Sequence, residues 1–528
     1  MSVNAVRWPL AVLSVAAAAA GCGGGSGAGG FVGPAPNPTY TAGLYQTPLT
    51  YTAHCAMPRA GTDPVTHQAY PDVPGSVVWE NFWTRSWINA YYLWYTEAPD
   101  LDPAAYGTAA DYFAADKTPA LTLSGTPKDH FHFTYATAQW QALSQSGVSV
   151  GYGVTWSLIS PSVPRKVVAA YTEPNSPATA PGANLVRGAT VLTVDGVDVV
   201  NSADKATLNA GLFPLTVGET HTFTILDPGT AQGRAITMIA TSVTGVPVQD
   251  IAALPTSTGK VGYLLFNDHI ATAEAELVQA IDNLQAAGVT DLVLDIRYNG
   301  GGFLDIASEL AYMIAGRGPT AGRTFDLVTF NNRYPTTDPI SGQPLTPTPF
   351  HSVSQGFSSS IPPGQPLPSL NLGRVFVLTG PDTCSASEAI INSLRGVNVQ
   401  VILIGSQTCG KPYGFYPQDN CGTTYFSIEF KGVNALGFGD YSDGFVAQNT
   451  TSATGVQVPG CSVADDYAHA LGDPAESRLA AALAYRASNG TACPTPPSGL
   501  AAPQAPLSVD GQVVKPEWLK NRIRRPLG

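Results

Sequence analysis

The sequence predicts a multidomain α/β protein with a helical N-terminal cap, a small β domain, and an α/β core built on a mainly parallel sheet. The chain has 528 residues, 44% of them hydrophobic, so it is long enough for roughly three to four domains with buried cores. Short β runs separated by turns fill residues 147–248. Apolar strands then alternate with amphipathic helices over residues 249–490, and that alternation is typical of a parallel sheet covered by helices.

The chain is acidic, with 26 Lys and Arg residues against 38 Asp and Glu residues and a formal net charge of −12 at pH 7. Such a chain lacks the excess of cations that binds phosphate backbones, so we expect no nucleic-acid partner. The sequence contains neither a C-x-x-C nor an H-E-x-x-H pattern. It therefore predicts no metal site and no cofactor.

Residues 1–21 are predicted to be a signal peptide. A positively charged start precedes an apolar run over residues 8–20, which is shorter than the ~20 residues of a membrane-spanning helix. The run leads into AAGC at residues 19–22, which resembles the processing site of a bacterial lipoprotein, with Ala19 where Leu is usual. The resemblance implies a lipid anchor at Cys22 and a location in the cell envelope, facing the periplasm or the exterior. The alternative is an ordinary secretory signal, which also takes the chain out of the cytoplasm.

The ends of the mature chain differ in composition from its interior. Residues 22–73 are rich in Gly, Pro, Thr and Ser and are predicted to be a tether, while residues 491–528 form a Pro-rich and then basic tail. Residues 74–146 are predicted to be a helical region. Its aromatic side chains recur mostly every three or four residues, which indicates a buried helix face made by Trp79, Trp83, Trp87, Tyr91, Tyr92, Trp94 and Tyr95.

The β domain at residues 147–248 has a recognisable order of turns and strands. A glycine-containing loop comes first, then a strand at residues 166–171, an NSPA turn at 175–178, and a strand at 188–194 that ends in Asp-Gly. This order resembles a PDZ domain, and we refer to residues 147–248 as the PDZ-like domain. In that family, backbone amides of the loop bind the carboxylate of a peptide that adds a strand to the sheet edge. The resemblance implies peptide binding at Gly151, Tyr152, Gly153 and Val154.

Three segments of the predicted core follow predicted strands and carry groups suited to catalysis. DIRYNGGG at residues 295–302 runs from a strand into a glycine loop, whose N–H groups are able to face an anion. TCSASE at residues 383–388 opens a helix, and its S-x-x-E spacing also fits a capping box, a purely structural role. GSQTCGKP at residues 405–412 nearly matches a nucleotide P-loop, but Pro412 replaces the Ser or Thr that binds magnesium, so we expect no nucleotide.

The order of these segments resembles the carboxyl-terminal processing, or tail-specific, peptidases. These are serine peptidases with a Ser-Lys dyad and usually a PDZ domain before the core, and the resemblance covers about residues 79–487. It implies that Ser385 is the nucleophile, because its position in the S-A-S-E motif selects it over Ser387. It also implies that Lys411 is the general base, which takes the hydroxyl proton and returns it to the leaving amine.

The resemblance further implies an oxyanion hole formed by the backbone amides of Ala386 and of Gly301 or Gly302. Many family members have a Gln four residues after the lysine, where it helps to orient the amine. This chain has Phe415 at that position, and Gln418 is the nearest substitute.

The sequence therefore predicts an exported serine endopeptidase that cleaves proteins and engages substrate segments, including C-terminal ones, through its PDZ-like domain. The alternative is a non-catalytic peptide-binding protein on the same fold. Both members of the dyad argue for the enzyme, and the replaced Gln argues for the alternative.

Six cysteines remain besides Cys22, and an even number in an exported protein predicts disulfides. If Ser385 and Lys411 meet, the neighbouring Cys384 and Cys409 are also brought close and are able to pair. The competing pattern, which we favour from the sequence, is a local Cys409–Cys421 bond together with Cys461–Cys493.

Overall fold

The computed structural model describes residues 36–450 and 454–495. The predicted signal at residues 1–21, the lipidation site Cys22 and the tail beyond residue 495 lie outside the described residues. From Asn37 on, the described residues belong to one compact unit. Among the residues that the structure describes, no helix has both the length and the apolar character needed to span a membrane.

The N-terminal region packs its aromatic face onto the core. The side chain of Ser76 caps helix α1 by accepting a hydrogen bond from the Trp79 N–H. Trp83 and Trp87 are buried beside Tyr425 of the core, as the aromatic spacing predicts. The helix ends at Tyr91, so the predicted helix face does not extend to Tyr92, Trp94 and Tyr95. The elements of this region are two 3₁₀ turns (Pro48–Thr50 and Pro103–Ala105), strands β1 (His54–Cys55), β2 (Val73–Pro74) and β3 (Phe133–Ala136), and helices α1 (Val77–Tyr91), α2 (Ala109–Ala115) and α3 (Thr137–Ser146).

The second half of the stretch that the sequence assigns to a tether is folded. Strand β1 pairs in parallel with β2. Cys55 is buried and forms a disulfide with Cys421 of the core, 366 residues along the chain. A paired strand and a covalent crosslink are long-range contacts, which the local Gly/Pro composition of this stretch does not reveal.

The PDZ-like domain is an antiparallel sheet with one helix against it. Its strands lie in the order β10-β9-β7-β6-β5, which makes β5 an edge strand, while β4 and β11 form a separate pair. Its elements are β4 (Val148–Gly151), β5 (Val154–Ser160), β6 (Lys166–Thr172), β7 (Thr190–Val194), β8 (Val197–Asp198), α4 (Lys205–Leu212), β9 (Thr220–Leu226), β10 (Arg234–Ile239) and β11 (Thr241–Thr244).

The core is built on a six-stranded sheet in the order β12-β13-β14-β17-β18-β25. Only β12 pairs antiparallel in it; the other four pairings are parallel, which confirms the predicted fold class. The first elements of the core are β12 (Val248–Thr256), β13 (Gly259–Phe266), α5 (Ala273–Ala286), β14 (Asp291–Asp295), α6 (Leu304–Ala315), α7 (Arg317–Thr320), β15 (Thr324–Thr329), β16 (Thr348–Pro349), β17 (Arg374–Thr379), α8 (Ala386–Gly396) and β18 (Gln400–Gly405).

Besides a two-stranded parallel pair, two smaller sheets complete the described part of the core, and one of them joins it to the N-terminal region. One has the order β16-β15-β22-β19, and the other, β20-β21-β3, includes the N-terminal strand β3. The remaining elements are β19 (Tyr413–Gly414), β20 (Gln418–Asn420), β21 (Thr423–Phe426), β22 (Phe430–Val433), β23 (Phe445–Ala447), β24 (Val456–Val458), β25 (Gly460–Ser462) and α9 (Ser477–Ala487). The pairing of β3 with β21 carries residues of the N-terminal region towards the ends of the parallel strands.

Candidate active site

The three sequence motifs come together at the carboxyl ends of β14, β17 and β18, which are neighbouring parallel strands. Ligand sites of α/β proteins form at this edge of the sheet. The loops after the strands are joined by backbone hydrogen bonds, from Cys384 N–H to Asn299 O at 3.1 Å and from Cys409 N–H to Thr383 O at 3.0 Å. Residues far apart in sequence are thereby held in one place.

Ser385 lies at the start of α8 in a backbone conformation that non-glycine residues rarely adopt, with φ 55° and ψ −115°. Ser385 lines a cleft between the loops. Ser387 is different, because it is fully buried and its hydroxyl donates to Asn299 O at 3.0 Å. The two serines of the motif therefore differ in role: Ser387 holds the glycine loop, and Ser385 faces the cleft.

Lys411 lines the same cleft as Ser385, and it is 1% exposed. Its Nζ lies 3.9 Å from the ring centroid of Phe415 and 5.1 Å from that of Phe131. The Phe415 ring thus lies beside the amine at the sequence position where many members of the resembled family have a Gln. Gln418 lies in β20, opposite Tyr425 of β21.

Glu388 connects the loop of Ser385 to the loop of Lys411. Its carboxyl accepts hydrogen bonds from the N–H groups of Ser385 at 3.1 Å, Gly410 at 2.9 Å and Lys411 at 2.8 Å, and from the Thr408 hydroxyl. Burial raises the pKa of this carboxyl to about 7, against the opposing effect of the donors. The S-x-x-E pattern identifies only the contact within the helix start; the bonds to the third loop depend on tertiary structure.

The glycine loop approaches the serine loop so closely that a side chain would not fit. A Cβ on Gly301, where φ is 94°, would lie 2.7 Å from Cys384 O and 2.8 Å from Ala386 N. The Gly301 N–H donates to Asn299 Oδ1 at 2.9 Å. This is a correction to the sequence expectation, because an N–H already bonded inside the protein is not available to an oxyanion. Gly302, which lines the cleft, remains the candidate in this loop.

Ala386 supplies the other expected donor. It is the first residue of α8, and the first N–H groups of a helix have no partner within the helix. Ala386 and Gly302 line the cleft together with Ser385 and Lys411. The cleft encloses about 390 Å³, part of it open to solvent.

Asp326 of β15 also lines this cleft, and no sequence motif marks it. It is 6% exposed, and a Cβ on Gly432 would lie 2.3 Å from its Oδ1. Asp326 reaches the cleft through the pairing of β15 with β22, which joins segments about a hundred residues apart in sequence. Strand pairing over such a distance in sequence cannot be predicted from local sequence patterns.

Arg297 of the first motif, which precedes the glycine loop, is held in a buried network of ion pairs. Its guanidinium is fully buried and forms ion pairs with Asp295 at 2.9 Å, Asp465 at 2.7 Å and Glu476 at 2.8 Å. Buried charges persist only when they are paired and hydrogen bonded. The D-x-R part of the motif therefore has a structural role here.

Disulfides link the site to its surroundings. Cys384 and Cys409, on the serine and lysine loops, are bonded, with Cα atoms 5.2 Å apart. Cys461 pairs with Cys493 as expected. The favoured Cys409–Cys421 bond is wrong, because Cys421 lies between β20 and β21, next to the N-terminal region that carries Cys55.

A second, larger cleft of about 880 Å³ lies at the PDZ-like domain. The four loop residues named from the sequence, Gly151, Tyr152, Gly153 and Val154, all line it. The Tyr152 side chain itself is buried and donates its hydroxyl to Gly211 O at 3.1 Å, so it is the backbone of the loop that faces the cleft. Glu173 lines the cleft as well, and burial raises the pKa of its carboxyl to about 7.

Comparison with known proteins gives two findings. Residues 260–415 match the sequence model of peptidase family S41. A carboxyl-terminal-processing protease of Picosynechococcus sp. is 28% identical over 241 residues, which are 45% of this chain and 49% of the relative. The chain thus spans about half the length of the curated relative it matches.

The fold has a solved counterpart in a Bacteroides fragilis protein assigned to the S41 proteases. The two chains are 23% identical, the alignment covers 80% of this chain and 99% of the other, and the TM-score is 0.56. At this level of identity, the likeness is one of fold.

Proposed function

We propose, with the S41 peptidase domain of this chain as the premise, that the protein is a serine endopeptidase in which Ser385 is the nucleophile and Lys411 the general base. The observation that carries the proposal is that Ser385 and Lys411 both line one cleft at the carboxyl ends of neighbouring parallel strands. The Cys384–Cys409 disulfide and the hydrogen bonds to Glu388 hold their two loops together. This geometry suits a nucleophile and base that must keep a fixed separation.

The chemistry proceeds in two halves. The neutral amine of Lys411 takes the hydroxyl proton of Ser385 while Oγ bonds to the carbonyl carbon of the scissile peptide. The developing oxyanion accepts hydrogen bonds from the N–H groups of Ala386 and Gly302. The ammonium then protonates the leaving amine as the C–N bond breaks, which leaves an acyl-enzyme.

Water completes the reaction. It attacks the acyl carbon and gives its proton to Lys411. The tetrahedral intermediate collapses, the bond to Ser385 Oγ breaks, and the proton returns to the serine. The products are a new C-terminal carboxylate and the free amine released in the first half.

The PDZ-like domain engages the substrate in this proposal. The loop backbone at residues 151–154 faces the larger cleft, and β5 is an edge strand, so an extended peptide is able to add to the sheet there. The substrates are proteins or peptides, including their C-terminal segments. A peptide with a free C-terminus and its amidated form, compared by calorimetry, test whether the loop binds the carboxylate, because equal affinities would remove that role.

The location outside the cytoplasm is part of the proposal. Three disulfides link the described residues, and disulfides persist in oxidising compartments. Together with the signal-like residues 1–21, they support an exported protein held at the cell envelope by a lipid on Cys22. Mass spectrometry of the N-terminal peptide purified from membranes tests the lipid directly.

Turnover of casein by the wild type and by four variants tests the dyad. We expect Ser385→Ala and Lys411→Met to abolish turnover, while Ser387→Ala, the matched serine variant, lowers it far less because it removes only one hydrogen bond to the glycine loop. Lys431→Met on β22 serves as the matched lysine control. Loss of activity in Ser387→Ala with full activity in Ser385→Ala would reverse the choice of nucleophile. Turnover by Ser385→Ala and Lys411→Met at the wild-type rate would refute the dyad, and no turnover by the wild type would leave the non-catalytic peptide-binding protein.

A further inference from the structure

The amine of Lys411 lies in an aromatic cradle made by two regions of the chain. Its Nζ is 3.9 Å from the ring centroid of Phe415 and 5.1 Å from that of Phe131. Phe415 follows Lys411 in the core, whereas Phe131 belongs to the N-terminal region, 280 residues earlier in the sequence. Lys411 and both rings are almost completely buried.

Packing holds both rings in place. Phe415 makes edge or tilted contacts with Phe133 at 6.0 Å and with Phe426 at 5.4 Å, measured between ring centroids. Phe131 is tilted against Tyr413 at 6.4 Å, and its N–H donates to the Asp129 carboxylate at 3.0 Å. Neither ring is free to turn away from the amine without disrupting the cluster.

The face of an aromatic ring attracts a cation through its quadrupole, and the attraction is larger where water is excluded. A ring 3.9 Å from Nζ therefore favours the ammonium that Lys411 becomes after it takes a proton. The same ring blocks positions from which water would otherwise solvate the amine. The base is thus held by aromatic faces as well as by polar groups.

We propose that Phe415, assisted by Phe131, is a positioning residue for Lys411, and that the N-terminal region is part of the active site because it supplies one wall of this cradle. The inference rests on the proposed function, since it assigns Lys411 as the base. The inference explains how the Lys411 amine is oriented in a chain that has Phe415 where many members of the resembled family have a Gln.

Other charged and titratable groups line the same cleft or contact the Lys411 backbone, and none of them is changed in the experiment below. Asp326 of β15 and Tyr441 line the same cleft, as does Tyr413, which follows two residues after Lys411. Glu388 of α8 accepts the Lys411 backbone N–H at 2.8 Å. Because these groups stay in place, a shift between variants reports the rings.

Replacing Phe415 by Leu removes the ring face and keeps an apolar side chain beside the amine. The protonated lysine then loses stabilisation, so the acidic limb of the profile of kcat/KM against pH should move to lower pH. The usual strength of a cation–π contact corresponds to a shift of about 0.4–1.5 pH units. Phe131→Leu should move the limb in the same direction by less, because its ring lies farther from Nζ.

The experiment measures kcat/KM against pH for the full chain with a fluorogenic peptide. Phe133→Leu is the matched control: it removes the same atoms from a ring that packs on Phe415 but is not one of the two rings over Nζ. Because Phe426 still packs on Phe415 in this variant, the limb should stay within error of the wild type. Phe415→Tyr keeps the ring face, so its acidic limb should lie at the wild-type pH. If Phe415→Leu does not fold, the comparison of Phe131→Leu with Phe133→Leu carries the test.

The inference would be overturned if the acidic limb does not move in the folded Phe415→Leu and Phe131→Leu variants. It would also be overturned if Phe133→Leu moves the limb as far as these variants do. Either result leaves the dyad intact. A shift confined to positions 415 and 131 supports it. Turnover that survives Ser385→Ala is a separate result, which overturns the proposed function and removes the base role on which the cradle depends.

Discussion

The Cys384–Cys409 disulfide allows a sharp test of how the loops of the proposed dyad are held, because a second disulfide closes a chain segment of similar length. Cys384 and Cys409 are 25 residues apart, and Cys461 and Cys493 are 32 apart. On the chain-entropy account of crosslinks, these separations correspond to about 3.5 and about 3.7 kcal/mol of stabilisation. Removing either bond should therefore lower the free energy of unfolding by a similar amount.

The two bonds differ in what they connect. Cys384 precedes Ser385 directly, and Cys409 lies two residues before Lys411. Cys461, in β25, and Cys493, after α9, join elements that do not carry either residue. A displacement of about 1 Å between reacting groups costs on the order of a hundredfold in rate. We expect kcat to fall about tenfold to a hundredfold in the Cys384→Ala/Cys409→Ala double variant, since hydrogen bonds to Glu388 still link the loops.

The assay pairs urea unfolding with peptide hydrolysis under conditions where every variant is more than nine-tenths folded. The Cys461→Ala/Cys493→Ala double variant should lose similar stability and keep its kcat. The reasoning would be refuted by a kcat near wild type in the first double variant, or by equal losses of kcat in both. Treating the wild type with a reductant should reproduce the first double variant only if the reagent reaches this bond.

Three further perturbations follow from the buried carboxyls and the buried arginine. Glu388→Asp withdraws the carboxyl from the N–H groups of Gly410 and Lys411, so steady-state kinetics should show a lower kcat; an unchanged kcat would contradict the role of this carboxyl as a link between loops. Burial, reinforced by the nearby Glu274, raises the pKa of Glu309 from 4.5 to about 10. The stability that a raised pKa contributes is complete below about pH 4.5 and declines as the pH rises towards 10. Glu309→Gln removes this titration and should flatten the dependence of the free energy of unfolding on pH. An equally steep dependence in the variant would contradict the raised pKa of Glu309. Arg297→Met removes the cation that pairs with two buried carboxylates, Asp295 and Glu476, and with the partly exposed Asp465, and it should cost about 3–5 kcal/mol in urea unfolding. A loss below about 1 kcal/mol would show that the ion pairs contribute little.

Local patterns in the sequence were sufficient for the fold class and for the location of the site. Alternating apolar strands and amphipathic helices predict a parallel sheet, because each helix must cover a face of the sheet that its strands form. Glycine-rich and serine-containing segments that directly follow such strands must lie at one edge of the sheet, since parallel strands all end there. Ser385 and Lys411 were therefore expected in one place before any coordinate was known.

Contacts between segments distant in sequence decided the rest. The N–H of Gly301 bonds to the side chain of Asn299, so its amide is not available to an oxyanion even though the glycine pattern admits it. Asp326 reaches the cleft through strand pairing that no local periodicity records. Each of these facts depends on the direction of one bond or one side chain, which sequence spacing does not determine.

The sequence by itself determined the α/β core and the order of the motifs, because these depend on periodicity and on the position of short segments along the chain. The choice of Ser385 over Ser387 as the nucleophile rests on the family resemblance of the S-A-S-E motif and stays a prediction. Only the tertiary structure decided that Cys55 pairs with Cys421 and that the ring of Phe131 lies near Lys411. The physical reason is that a disulfide or a ring contact requires two side chains to meet within a few ångströms after the chain has folded. Composition indicates which groups are able to make such contacts, and packing selects the partners.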